Sequence, residues 1–323
     1  MVDDAVPHSL ANLSGILGFD SRGFLSEVFG RQPLHVPGAN AAAYRELVTL
    51  REIDAILASP STRPPYVRLI ADGELIDPQQ YSFSGTVARR RVNGLLDHAL
   101  VMDQFDRGVT IVLDSIQHWL PAMRELCASL QRELGTEGWA TVFASPPGEQ
   151  ALQAHADSYE IFVLQIAGTK KWSLYPRLEP VPPAGASLSD DDLGPEEATV
   201  VLNPGDLLYL PWGTPHVVTA LENPSVHVSV ALRPPTWEAV IQEMVRSLIS
   251  DGREHEPVLM CRGRENELGK EMSTRLARLV EDLGAIDASA YTSRLIAEAT
   301  EDRRRSPGVT LAGLYPQKGE SHR

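Results

Sequence analysis

The chain has 323 residues, is 43% hydrophobic, and carries 29 basic against 43 acidic side chains, a formal net charge of −14. That length supports one large domain with a smaller appendage, while an acidic surface of this size disfavours direct nucleic-acid binding and suits a basic partner. The opening MVDDAVPHSLANLSG lacks a basic segment followed by an apolar run, no stretch approaches the roughly 18 apolar residues of a membrane span, and Cys127 and Cys261 lie outside metal-ligand spacing, so the expected compartment is the cytoplasm.

Along residues 1–137 the pattern predicts a mostly helical region. Phe24–Gly30 and Tyr44–Leu57 show helical apolar spacing, and Tyr66–Ala71 reads as a short strand. An amphipathic helix is predicted between Thr86 and Phe105, then a β-like run, Val109–Leu113, then a helix with apolar positions at Leu120, Met123, Leu126 and Leu130. Over 138–235 short β-rich runs follow one another between Gly, Pro and Asn. They are Trp139–Ala144, Ala151–Ala154, Ile161–Ala167, Lys171–Tyr175, Thr199–Leu202, Leu207–Leu210, His216–Ala220 and Val226–Leu232. Short strands punctuated in this way predict an all-β barrel or sandwich. Pro176–Ala198, rich in proline and with acidic residues at 190–192 and 196–197, is too long and too broken to be an element. Over 236–323 helical periodicity returns at Trp237–Ser250, Lys270–Leu283 and, less regularly, Ala288–Arg305, with a frayed tail from Ser306.

The chemistry-bearing residues sit in the β-rich region. In His155-Ala156-Asp157 the side chains at i and i+2 of an extended segment point the same way, so an imidazole and a carboxylate can reach one ion. Alone, such a pair is common. It gains meaning from Asn203-Pro204-Gly205-Asp206, the apolar run to Leu210, and Pro211-Trp212-Gly213-Thr214-Pro215-His216, which delivers a second imidazole to the start of a strand. Two histidines and one carboxylate form a facial triad that leaves iron positions open for substrate and oxygen.

Together HADSYEIFVLQIAGTKKWSLYP and LNPGDLLYLPWGTPHVV resemble the iron-binding core of the JmjC-type 2-oxoglutarate oxygenases, and among them the ribosomal oxygenases of the cupin-4 group. The likeness reaches weakly upstream through FLSEVFGRQPLHVPG and downstream through Leu232–Thr236. It implies a mixed α+β fold: a double-stranded β-helix (jelly-roll, cupin) core, N-terminal helices around it, and a C-terminal helical region that pairs two chains as a homodimer. It implies Fe(II) on His155, Asp157 and His216, 2-oxoglutarate as cosubstrate and O2 as oxidant, with no protein acid or base beyond the metal centre. The far carboxylate of 2-oxoglutarate needs a cation inside the barrel, and the family position for it, fifteen residues after the first histidine, is Lys170. Strand alternation then turns Lys171 outward; a register one residue off would exchange the two. Ser229 on the last strand is the candidate second cosubstrate contact.

One position departs from the family. Many ribosomal oxygenases carry Asn fourteen residues before the first histidine, where this chain has Thr141, the candidate substrate contact. Thr keeps a hydroxyl but loses the amide's paired donor and acceptor. The region after Trp237 is also short for both dimerisation helices and the winged-helix module of longer members, so that module is expected to be missing or vestigial. The expected activity is hydroxylation of an amino-acid side chain in a protein or peptide, a basic one by charge complementarity, such as a ribosomal protein or a precursor peptide. The same chemistry on a small metabolite, and a metal-binding cupin without catalysis, are the alternatives. Trp172, Trp212 and Trp237 are expected to be packing residues or lids, His227 a structural histidine and Arg303–Arg305 a solvated helix end. His118 and His255 have no context.

Overall fold

The computed structural model describes residues 12–59, 61–181, 187–189, 191–249, 257, 258, 260 and 262–300. Side-chain caps set the first helices. Asn12 and Asp20 accept backbone N–H groups at the starts of α1 (Leu13–Leu17) and α2 (Ser21–Glu27). After β1 (Leu34–Val36) and α3 (Ala41–Leu47), a Thr49/Glu52 capping box opens α4 (Leu50–Leu57). β2 (Val67–Ala71), β3 (Glu74–Leu75), β4 (Ser82–Val87) and β5 (Arg90–Leu96) lead to α5 (His98–Asp106), β6 (Thr110–Leu113) and α6 (Pro121–Leu134).

The β-rich stretch then supplies β7 (Gly138–Ser145), β8 (His155–Ala156), β9 (Glu160–Ala167), β10 (Lys170–Leu174), β11 (Ala198–Leu202), β12 (Leu207–Leu210), β13 (Pro215–Ala220) and β14 (Ser225–Leu232). The helices α7 (Trp237–Ile249), α8 (Glu265–Gly284) and α9 (Ala288–Thr300) follow. The calls on Ser250, Cys261, His255, Arg303–Arg305 and the tail from Ser306 fall outside the described residues.

The strands form two main antiparallel sheets. One has eight strands in the order β1-β12-β9-β14-β7-β6-β2-β3, the other four in the order β11-β10-β13-β8. Between them lies a small core of Ile161, Val163, Leu208 and Leu210 against Trp172, Leu174 and Leu202. The opposite face of the large sheet carries the main core, where Phe162, Tyr209, Val228 and Val230 meet Phe24, Tyr44, Leu47 and Leu126 from the helices. This is the expected mixed α+β arrangement.

Three expectations need correction. Residues 86–96 are not helical: β4 and β5 form a separate two-stranded ribbon. Ala88 and Arg89 both take positive φ (47° and 65°) at its turn, and Gly85, Asn93 and Gly94 weaken any helix there. The helical spacing belongs only to His98–Asp106. Ala151–Ala154 forms no strand; the paired residues are His155 and Ala156. The region 1–137 does more than wrap the core with helices, since β1 pairs with β12 and β6 with β7, so the large sheet runs across residue 137.

Asp206 ties the N-terminal segment to the turn before β12. Its carboxylate accepts from Gly38 N (2.7 Å) and Asn203 N (2.9 Å) and faces His35 Nε2 at 3.4 Å. Gly205 beside it has φ +98°, and a Cβ there would lie 2.3 Å from the Ala41 Cβ, so only glycine fits. Burial works to raise the Asp206 carboxyl, but the N–H groups of Asn203 and Gly38 and the His35 ring outweigh it and hold it below the ordinary 3.8. A depressed carboxyl stabilises the fold above its ordinary value, and that contribution is lost as pH falls through the folded value. Asp206→Ala is expected to lower the free energy of unfolding at pH 7 by about 3 kcal/mol, read from denaturant melts. The gap between variant and wild type should narrow on acidification below 3.8.

Candidate functional site

β8 and β13 pair so that His155 stands directly opposite His216, with ring centroids 4.5 Å apart. Asp157, just past β8, places Oδ2 3.8 Å from His155 Nε2 and 3.7 Å from His216 Nε2. The turn before β13 is fastened to this carboxylate's own backbone, because Gly213 N donates to the Asp157 carbonyl at 2.9 Å. Each imidazole is oriented from behind by a carbonyl two residues upstream: Gln153 O lies 2.9 Å from His155 Nδ1, and Thr214 O 3.0 Å from His216 Nδ1. A carbonyl can only accept, so Nδ1 carries the proton and the Nε2 lone pairs face Asp157.

The three ligand atoms lie within 4.8 Å of one another. Burial, and then the neighbouring His155, push His216 down to about 4 against the pull of Asp157, so its ring is neutral and ready to ligate at pH 7. Two imidazoles and one carboxylate, converging with the imidazoles' other nitrogens already satisfied, fit a ferrous ion with open positions.

Behind the triad lies a cavity lined by Phe143, Lys170, Trp172, His216, His227 and Ser229, among others. Lys170 is 2% exposed while Lys171 is exposed, so the strand alternates with Lys170 inward. Its ammonium donates to Ser145 Oγ (3.0 Å) and meets His227 Nδ1 (3.0 Å), and Thr110 Oγ1 donates to the same Ser145 oxygen at 3.0 Å. Among the described residues no carboxylate pairs with Lys170, and burial pushes it down to about 7. His227 is forced well below its usual value by burial, then by Lys170 and His216. It stacks on Phe143 at 5.0 Å, and Trp172 stacks on His216 at 5.4 Å.

Toward solvent the cavity opens between Arg68, Asp114, Trp139, Thr141, Tyr159 and Ser187. Thr141 and Ser229 are cross-strand partners on β7 and β14 and both line this opening. Arg68 holds Asp114 through Nε–Oδ2 (2.5 Å) and Nη2–Oδ1 (2.9 Å), and Thr141 Oγ1 lies 3.3 Å from Asp114 Oδ1. The Arg233 guanidinium lies over Trp139 (5.3 Å) and Tyr159 (5.8 Å). The long acidic connection returns here: Ser187 bridges to His155, and Leu188 N donates to the Ala154 carbonyl at 2.7 Å.

All six candidate residues read from sequence therefore border two neighbouring cavities that share His155, Asp157 and Ser229 in their walls. Sequence reasoning missed Ser145 and Trp139, which period-2 alternation from Thr141 would have found, and Tyr159, two residues past Asp157. Arg68 and Asp114 carried no signal, since they arrive from distant strands. Trp212 is half-buried and Trp172 buried, whereas Trp237 is 79% exposed and packs as neither core nor lid.

Residues 115–240 match the sequence profile of the JmjC domain. This chain carries a JmjC domain over that stretch. It is related to the ribosomal oxygenases. The bifunctional lysine-specific demethylase and histidyl-hydroxylase NO66 of Drosophila persimilis is 27% identical over 228 residues, 70% of this chain and 32% of that protein. Ribosomal oxygenase 1 of Gallus gallus is 31% identical over 213 residues, 64% of this chain and 34% of the relative. The JmjC-domain chain thus spans about a third of the length of these curated relatives. In fold it is similar to the ribosomal oxygenase YcfD from Escherichia coli, solved with cobalt and 2-oxoglutarate. The TM-score is 0.57 at 18% identity, over 89% of this chain and 72% of that one. No described helix is long and apolar enough to cross a membrane.

The geometry predicts one divalent ion per chain. Cobalt(II) titration followed by its visible absorption should saturate at one equivalent. His155→Ala, Asp157→Ala and His216→Ala should each weaken binding at least about a hundredfold, because two ligands do not hold a labile divalent ion. Saturation unchanged in His155→Ala/His216→Ala would place the ion elsewhere.

Proposed function

We propose that this JmjC-domain protein is an Fe(II)- and 2-oxoglutarate-dependent dioxygenase that hydroxylates an amino-acid side chain of a protein or peptide. The observation that carries the reading is Lys170. It is a fully buried cation, without a carboxylate partner among the described residues, in the cavity that the three metal donors also line. An uncompensated buried ammonium is costly, and a cupin without catalysis has no use for one there. A dicarboxylate whose keto-acid end meets the metal and whose far end meets Lys170 accounts for both features.

His155, Asp157 and His216 would hold the iron, and Lys170 would receive the distal carboxylate, with Ser145 and His227 orienting the ammonium. Ser229 is a candidate second contact. When bound, iron and 2-oxoglutarate supply the oxidising chemistry: cosubstrate, O2 and a C–H bond become succinate, CO2 and a hydroxyl group. Phe143, Trp172 and Ile161 keep the cavity wall apolar, which limits water.

Support for a protein or peptide substrate comes from the surface outside the cavity. A groove of 1190 Å3 runs past Tyr66, Trp139, Trp212 and Arg233 to Thr236, larger than a small metabolite needs. Asp191, Asp192, Glu196 and Glu197 on the adjacent connection are exposed, a field that favours a basic segment. The relatives' names, ribosomal oxygenase and histidyl-hydroxylase, point to the same class, with a ribosomal protein as the first candidate and the cytoplasm as the setting. Residues 236–323 would form the dimerisation region, for Ile241, Met272, Leu276, Val280 and Ile296 on α7–α9 are exposed.

Loaded anaerobically with Fe(II) and then exposed to oxygen, the protein is expected to convert 2-oxoglutarate slowly to succinate without a prime substrate. Absence of succinate would remove the oxygenase reading. Lys170→Ala should weaken 2-oxoglutarate binding by an amount on the order of 2–5 kcal/mol, and Lys171→Ala should leave it nearly unchanged. The bound carboxylate raises Lys170 from about 7, so binding takes up a proton above that pH. Affinity should be flat below pH 7 and fall about tenfold per unit above it, with proton uptake visible by calorimetry in buffers of different ionisation heat. Light scattering should report a dimer; a monomer at tens of micromolar would remove the C-terminal pairing.

A further inference from the structure

We infer that Asp114 is a positioning residue that fixes the polarity of the substrate slot, by holding the Thr141 hydroxyl as a hydrogen-bond acceptor toward the cavity. The argument begins with donors and acceptors. Thr141 lies on the cavity face of β7 and has one O–H to give. Its Oγ1 is 3.3 Å from Asp114 Oδ1, and a carboxylate only accepts, so the hydroxyl proton is committed to Asp114. What Thr141 still offers the cavity is lone pairs.

Asp114 has little freedom to release that proton. The Arg68 fork holds both carboxylate oxygens at 2.5 and 2.9 Å, and this pairing also raises Arg68 above its usual value. Both residues come from strands that extend the large sheet beyond β7: Arg68 lies on β2, and Asp114 directly follows β6. The Arg68–Asp114–Thr141 chain therefore forms one rigid wall of the opening, with Ser229 beside Thr141 on the neighbouring strand. Ser229 can give or accept, whereas Thr141 can only accept.

A side chain that reaches this wall is matched when it brings an N–H group to Thr141. Imidazole, carboxamide and guanidinium groups meet that requirement. An aliphatic side chain leaves the Thr141 acceptor without a partner. This goes beyond the oxygenase reading and rests on it only for what is finally turned over.

The test uses cobalt(II)- and 2-oxoglutarate-loaded protein under nitrogen. Short labelled lysine-rich peptides, identical except for a central His, Asn, Arg or Leu, are titrated by fluorescence anisotropy. Wild type should bind at least one N–H-bearing peptide about tenfold more tightly than the Leu peptide. In Asp114→Asn the amide oxygen stays on Arg68 Nε, the amide N–H2 turns to Thr141, and the hydroxyl becomes a donor. The preference over Leu should then fall to within about threefold. Thr141→Val should do the same, Thr141→Ser should retain the preference, and the double variant Asp114→Asn/Thr141→Val should lose no more than either single one.

A merely structural role for Asp114 predicts something else, equal weakening of every peptide including Leu, and that result would overturn the inference. So would an intact ranking in Asp114→Asn, or a wild type that shows no ranking, whether through indifference or through absence of binding. The oxygenase reading is judged separately by succinate formation without peptide. A protein that ranks peptides but makes no succinate would leave the present inference standing and remove the other.

Discussion

The arrangement depends first on a two-residue strand pairing. His155 and His216 can share an ion because β8 and β13 place them face to face, and a slip of one residue would turn one imidazole out of the barrel. So short a pairing cannot hold its own register. It is held from three sides: β13 is laddered along β10, where Leu174 opposes His216; Gly213 bonds back to Asp157; and Trp172 lies against the His216 ring. The carbonyls of Gln153 and Thr214 then settle which nitrogen of each ring looks inward. The metal-binding capacity of the site is thus a property of the surrounding ladder more than of the three side chains.

A second constraint runs through the interior. Lys170 is removed from water without an opposing charge among the described residues, and the fold meets it with neutral groups, Ser145 and the His227 ring, with Thr110 behind. Carboxylates in those places would pair the ammonium permanently and close the cavity to an anion. Neutral partners keep it oriented and leave its charge unspent. His227, which reads from sequence as an ordinary structural histidine, belongs to this arrangement because it sits one strand away from β7 and faces the same space.

The metal triad was legible because its signals are local: His-x-Asp within three residues of chain, and an Asn-Pro-Gly-Asp turn, an apolar strand and a Pro/Gly turn ahead of His216. Lys170 was picked out by the family position fifteen residues after His155, and period-2 alternation then turned Lys171 outward. The ribbon at β4–β5 was not legible, because Val92, Leu95 and Leu96 line up with Ala99 at spacings that suit a helix, and its turn uses Ala88-Arg89 where Asn-Gly would have announced it. Ala151–Ala154 looked like a strand by composition, but the paired segment is the next two residues. Arg68 and Asp114 were invisible for a different reason: their place beside Thr141 comes from pairings of β2 with β6 and β6 with β7, which no local pattern encodes.

The continuity of the large sheet across residue 137 has a consequence for how this architecture could be inherited. A segment cut to 138–235 would keep every metal donor and Lys170, yet β7 and β12 would each lose a neighbour and present bare ladder edges to solvent. It would also lose two members of the polar wall at the opening. The chemistry is therefore not a cassette that recombination could lift out and graft elsewhere. A fragment that kept the donor arrangement intact would have to carry the first hundred or so residues along, which couples the entrance to the metal-donor set.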